Sequence, residues 1–203
     1  MSKFEIALFD ADGVVIAPRE KFFTDRLVEE CGVSPEDSMD FVKEFLMPSM
    51  TDKVDLREEL PALLTKWEIN KSVDEIFEFW WSGETKIDYS VLNIVDQLKH
   101  SGVKTYLASD QEKNKAGYIM NTLGLIEHFD GAFLSFEMGF QKHDEGYWKK
   151  LLESLRVEPS RIIFWDDDQK NVDNAAAVGI VGRLYSNFEE FKRDAQELYR
   201  SSV

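Results

Sequence analysis

The sequence is poor in the residues that build covalent or soft-metal frameworks. It holds one cysteine, Cys31, and three histidines. A single cysteine forms no internal disulfide, which suits a reducing cytoplasm. The same scarcity argues against a zinc site. No apolar run approaches the roughly 18 residues that a membrane span requires. The N-terminus, Met1-Ser2-Lys3-Phe4-Glu5, meets acid at once and lacks the apolar stretch of a secretory signal. Internal repeats, low-complexity tracts and flexible linkers are also missing. Basic residues are in short supply, with 24 Lys and Arg against 39 Asp and Glu and a net charge of −15. That charge speaks against nucleic acid and anionic membranes as partners. It would equally repel any small anion, so a site for one must offset the field locally.

What is present is ample for a core. The 203 residues are 43% hydrophobic and 31% charged, ordinary for a globular protein of one large domain, or one domain with an insert. Five short apolar runs read as strands: Phe4 to Phe9, Val103 to Ala108, Gly131 to Phe136, Arg161 to Trp165 and Ile180 to Tyr185. Helical periodicity lies between the later ones, at about Tyr89 to His100, Lys113 to Leu123, Glu145 to Leu155 and Gln169 to Val178. Alternating strands and helices predict an α/β, Rossmann-like parallel sheet with helices on both faces.

The stretch from about Ala17 to Lys86 contains no convincing strand and reads as four helices. Ser34-Pro35-Glu36-Asp37 and Ser72-Val73-Asp74-Glu75 look like helix starts, a Ser with an acid three residues on. Glu20 to Glu30 and Asp55 to Trp67 supply the others, and Pro61 is expected to kink or split the latter. The expected organisation is therefore a core of residues 1–16 and 87–203 with an all-helical cap of residues 17–86.

In open parallel sheets, ligands bind at the carboxyl ends of the strands. Here those ends read Asp10-Ala11-Asp12-Gly13, Ser109-Asp110 and Asp166-Asp167-Asp168, and Gly139-Phe140-Gln141-Lys142 follows the third strand. An Asp-x-Asp alone is weak, but four strand ends deliver carboxylates, a hydroxyl and a lysine to one edge. Clustered carboxylates suit magnesium, a hard cation, and without a cation some of them would stay protonated. A carboxylate with a second carboxyl two residues on offers covalent catalysis with acid–base assistance.

The ordered set resembles the haloacid dehalogenase-like (HAD) hydrolase superfamily over nearly the whole chain. Phe9-Asp10-Ala11-Asp12-Gly13-Val14 is similar to its first motif, Leu107-Ala108-Ser109-Asp110 to the second and Gly139-Phe140-Gln141-Lys142 to the third. Ile162 to Asp167, followed by Asn171, resembles the fourth, and the helical insert resembles a C1-type cap. The resemblance implies a magnesium-dependent phosphatase acting on a small phosphorylated metabolite. It implies that Asp10 is the nucleophile and that Asp12 is the acid and base, with its backbone carbonyl facing the metal. Ser109 and the Asp110 backbone N–H would contact the phosphoryl group, Lys142 would neutralise charge, and Asp166 and Asp167, with Asp10 and Asp12, would hold magnesium. Asp12 separates branches of the superfamily: dehalogenases place Tyr there and the phosphonate-cleaving branch Ala, so Asp12 favours phosphate esters. A phosphomutase or phosphotransferase acting on sugar phosphates stays open, as does a catalytically silent binding module.

Some positions depart from the pattern. Asp110 stands where many relatives have Asn, and its side chain is expected to point away from phosphate. His143 replaces the usual Pro, which leaves either a looser surface loop or a histidine that reaches the substrate. Asp168 is expected to cap the helix beginning near Gln169, and Asn171 to orient Lys142 or an acidic ligand. The aromatics Phe77, Phe79, Trp80 and Trp81 read mainly as core. Arg19, Phe22 and Phe23 are better placed for substrate contact.

Overall fold

The computed structural model describes residues 4–200. Met1 to Lys3, the first residues of the acid-bearing N-terminal segment, lie outside the described residues. Five strands form one sheet: β1 (Ile6–Phe9), β2 (Lys104–Ser109), β3 (Gly131–Leu134), β4 (Ile162–Asp166) and β5 (Val181–Leu184). All pairings are parallel, in the order β3-β2-β1-β4-β5. The central strand β1, Ile6-Ala7-Leu8-Phe9, is buried along its whole length. A strand covered on both faces needs a continuous apolar run rather than alternation.

Helices follow in chain order. The segment after β1 carries α1 (Phe23–Cys31), α2 (Pro35–Phe41), a π-helical turn (Val42–Leu46), α3 (Met47–Ser49), α4 (Leu56–Lys66) and α5 (Val73–Ser82). Between and after the remaining strands come α6 (Tyr89–His100), α7 (Lys113–Gly117), a second π-helical turn (Tyr118–Thr122), α8 (Leu125–His128), α9 (Ser135–Met138), α10 (Glu145–Leu155), α11 (Gln169–Ala177) and α12 (Phe188–Arg200). Residue parity on the strands divides the core. Ala7, Phe9, Leu107 and Trp165 pack with α6 and α12, through Val91, Val95 and Phe191. Ile6, Leu8, Ala108 and Phe164 face the other way, onto Tyr147, Trp148 and Leu151 of α10.

The helical insert has its own apolar cluster, which includes Phe23, Leu27, Phe41, Leu60, Phe77 and Trp80. Its helix starts follow the capping chemistry in the sequence. Ser34 Oγ accepts the Asp37 N–H at 3.0 Å. Ser72 Oγ accepts the Glu75 N–H at 3.2 Å while the Glu75 carboxylate accepts the Ser72 N–H at 2.7 Å. Pro61 does not split α4, which runs through it. The carbonyl that loses its donor belongs to Arg57, an exposed residue that water can reach. The first helix begins at Phe23 rather than Glu20, because Phe22 is extended and the Phe23 N–H is taken by Glu84 Oε1 at 2.6 Å. The chain enters and leaves the insert side by side: Ala17 N donates to Lys86 O at 2.8 Å, and Asp88 N to Val15 O at 2.9 Å.

Because Ser72 is exposed and its cap is local, Ser72→Ala should lower the unfolding free energy by about 1 kcal/mol without changing the urea m-value. Equilibrium urea melts read both quantities.

Candidate active site

The sheet register sets the site. Phe9 pairs with Trp165, so the next residues, Asp10 and Asp166, leave adjacent strands at the same level. Asp10 N donates to Trp165 O at 2.9 Å, fixing the backbone there. Both carboxylates are buried, and between them lies the equally buried Lys142 ammonium, 2.8 Å from Asp10 Oδ1 and 2.6 Å from Asp166 Oδ2. Asn171 Nδ2, from α11, reaches both oxygens of Asp166 at 3.1 and 3.2 Å. Asp167 is exposed, yet it offers an oxygen that lies within 4.8 Å of oxygens from Asp10 and Asp166. It can lie so close only because Gly13, at φ +89°, has no Cβ; one added there would overlap the Asp167 carboxylate. Asp168 caps α11, accepting the Lys170 N–H at 2.9 Å.

The lysine loop is tied down at several points, against the expectation of a loose loop where Pro is replaced by His143. The Lys142 N–H donates to Asp110 Oδ1 at 3.0 Å, and Trp148 Nε1 donates to Lys142 O at 2.7 Å. Asp144 N donates to Gln141 O at 2.8 Å. Asp110 therefore directs its carboxylate onto the loop, while His143 is exposed.

Asp12 engages different partners. Lys115 Nζ sits 3.1 Å from each of its oxygens, Gln111 Nε2 donates at 2.8 Å, and Arg19 Nη2 lies at 3.9 Å. Gln111 Nε2 also reaches Ser109 Oγ, at 3.2 Å. Lys115 continues to Glu84 Oε2 at 3.4 Å, which accepts as well from Arg19 Nη1 at 3.1 Å and Trp80 Nε1 at 3.0 Å. Sequence reasoning missed Gln111, Lys115 and Glu84. Gln111 and Lys115 come closely after the second strand end, the one signal that could have found them. Glu84 carried none.

The two groups of charges differ electrostatically. Burial pushes the Asp10 carboxyl from 3.8 up to about 7, because Lys142 offsets only part of that cost and Asp166 and Asp12 add repulsion. Burial acts to lower the Lys142 pKa, but the carboxylates of Asp10, Asp166 and Asp110 outweigh it and the net shift is upward. Burial also raises Asp110 and, together with Asp166, Asp167. Asp12 goes the other way: burial opposes its charge, yet Lys115, Arg19 and the Gln111 hydrogen bond hold it below the usual carboxylate range.

Between the strand ends and the insert lies a cavity of about 330 Å³, reached by Asp12, Asp110, Gln111 and Lys115 from the sheet side. Arg19, Phe22 and Phe23 line it as well. Of the aromatics read as core, Phe77 and Trp80 are buried in the insert, with Trp80 also reaching the cavity. Trp81 stacks on Tyr118 with ring centroids 4.7 Å apart.

A five-stranded parallel sheet with acids and a lysine at its carboxyl edge, and a helical insert after the first strand, defines a class of hydrolases built on a Rossmann-like sheet. The chain belongs to the haloacid dehalogenase-like hydrolases, whose family model matches residues 4–179. It is 22% identical to the GMP/IMP nucleotidase of Escherichia coli over 184 residues, covering 87% of this chain and 80% of that protein. It is 26% identical to bifunctional epoxide hydrolase 2 of Sus scrofa over 133 residues, 64% of this chain. The match spans only 24% of that longer protein. Among solved structures, a HAD-family enzyme from Bacteroides thetaiotaomicron, in complex with magnesium and inorganic phosphate, superposes with a TM-score of 0.74 at 18% identity. That superposition covers 89% of this chain and 93% of the other. No helix among the described residues is long and apolar enough to cross a membrane.

A carboxylate whose pKa is higher folded than unfolded binds extra protons in the native state, so stability falls as pH rises between the two values. In metal-free buffer, Asp10 should thus make the protein less stable from about pH 4 to pH 7. Asp10→Asn should make that decline shallower, as read from urea midpoints across the range.

Proposed function

We propose that the protein is a magnesium-dependent phosphatase that hydrolyses a small phosphorylated metabolite through an aspartyl-phosphate on Asp10. The observation that carries this reading is the placement of Asp10 on Lys142 beside Asp166 and Asp167, with the cavity above. A lysine alone does not let Asp10 ionise fully at neutral pH, so the donor set calls for a further cation. Three carboxylate oxygens, with neither sulfur nor imidazole, fit a hard cation such as magnesium. Asp10, Asp166 and Asp167 would hold it, with the Asp12 carbonyl as a further ligand. When bound, magnesium supplies positive charge that counters the substrate phosphate and the net charge of −15.

The chain's own groups divide the chemistry. Asp10 attacks phosphorus, and the bond from phosphorus to the leaving oxygen breaks. Asp12 gives that oxygen a proton. Asp12 then takes a proton from a water molecule that attacks the aspartyl-phosphate, which releases inorganic phosphate and restores Asp10. Ser109 and the Asp110 N–H bind phosphoryl oxygens, while Lys142 neutralises charge in a site where positioning and electrostatics carry most of the rate. As found, Asp12 accepts hydrogen bonds from Lys115 and Gln111, an arrangement ready for the water-activating half. The acid half requires Asp12 to take up a proton against that hold. Residues 17–86 act as the cap, closing over the substrate and selecting the leaving group. The nucleotidase relative and the magnesium- and phosphate-bound structural neighbour support this reading.

Purified protein with magnesium should hydrolyse a generic aryl phosphate. Asp10→Asn should reduce kcat by about six orders of magnitude or to background, an effect of the size seen when a nucleophile is removed. Phosphate release that survives Asp10→Asn unchanged would remove Asp10 as nucleophile.

A further inference from the structure

The cavity above Asp12 bears on the identity of the leaving group, an inference that rests on the phosphatase reading. Its volume of about 330 Å³ lies at the small end for ligand sites. On the insert side the wall is made by Phe22, Phe23, Val42, Leu46, Met50 and Trp80, with Thr24 contributing the one hydroxyl. The polar groups near that wall are already engaged. Trp80 Nε1 and the Phe23 N–H both donate to Glu84, at 3.0 and 2.6 Å. The cations lining the cavity are Arg19 and Lys115, and two carboxylates, Asp12 and Glu84, balance them. Arg19 also lies over the Phe22 ring, 4.8 Å from its centroid. The remaining carboxylate, Asp110, accepts the Lys142 N–H.

We infer that the substrate is the phosphate monoester of a compact apolar alcohol, aryl or short branched alkyl, lacking a second anionic group. A polyhydroxylated body would lose water at several hydroxyls against six apolar side chains, where Thr24 offers a hydroxyl and Arg19 and Glu84 are already paired with each other. A second anion would meet cations already paired with Asp12 and Glu84, and would have to break a buried network to gain one. An apolar body gains from burial against the six apolar side chains and asks for no new polar partner.

Binding tests this separately from turnover. With magnesium present, calorimetry on the full chain compares benzylphosphonate, a hexose 6-phosphonate and a carboxylated alkylphosphonate. The benzyl compound should bind at least about ten-fold more tightly than either, a ratio typical of apolar-pocket discrimination. Met50→Gln, close to isosteric, should cut that preference several-fold. Equal or tighter binding of the hexose or carboxylated compound, or no binding of the benzyl compound, overturns the inference. A preference that Met50→Gln leaves unchanged overturns the assignment to this wall. The two readings fail differently. A chain that turns over phosphate esters but prefers the hexose loses only the leaving-group inference, whereas one that binds benzylphosphonate tightly yet hydrolyses nothing loses the reaction and keeps only the apolar preference of the cavity.

Discussion

The ammonium of Lys142 is the interaction on which the sheet edge depends. Parallel pairing brings Asp10 and Asp166 out of adjacent strands at one level, where both are shielded from water. Two such carboxylates repel, and a single one carries a desolvation cost of several kcal/mol. Lys142 touches both, and its own position is fixed by Asp110 from the end of β2 and Trp148 from α10. The upward shift of Asp10 shows that one lysine does not fully compensate the cluster. That residual imbalance is what the proposed divalent cation would offset, in a protein whose overall field would repel an anionic substrate.

A second network, around Glu84, joins parts that the chain keeps far apart. It links the start of α1, the end of α5, the segment holding Arg19, and Lys115 of the sheet domain. Asp12 belongs to this network as well as to the first motif. The residue proposed to move protons is thereby wired to the insert proposed to choose the substrate. A buried charge pair of this kind adds little stability relative to apolar packing, but losing one partner is costly. The network favours one placement of the insert over others.

Much of this was legible in the sequence because strand ends are. Apolar runs ending in Asp10, Ser109 and Asp166 mark both the sheet and its carboxyl edge, and each observed strand ends within two residues of its expected limit. Caps at Ser34, Ser72 and Asp168 were legible for the same reason, as local chemistry between near neighbours. Glu84 and Lys115 were not, since they lie 31 residues from each other and farther still from Asp12. A charged residue in a turn, as Glu84 is, or on a short polar helix, as Lys115 is, reads as solvated surface until the fold buries it. The π-helical turns were equally hidden, because their residues keep ordinary helical periodicity. The tied lysine loop overturned an expectation built on a missing proline: hydrogen bonds from two other elements hold it instead.

The adjacent entry and exit of the insert also bear on how the chain finds its fold. Strands β1 and β2 are far apart in sequence, with Ile6 paired to Lys104. Closing so long a loop in one step is entropically costly and slows folding. Val15, Ala17, Lys86 and Asp88 pair directly across the base of the insert, so an insert already folded on its own apolar cluster short-circuits that distance. The effective separation between β1 and β2 then shrinks to the few residues on either side of the junction and α6. An excursion that lengthens the chain thus adds little to the search for the sheet.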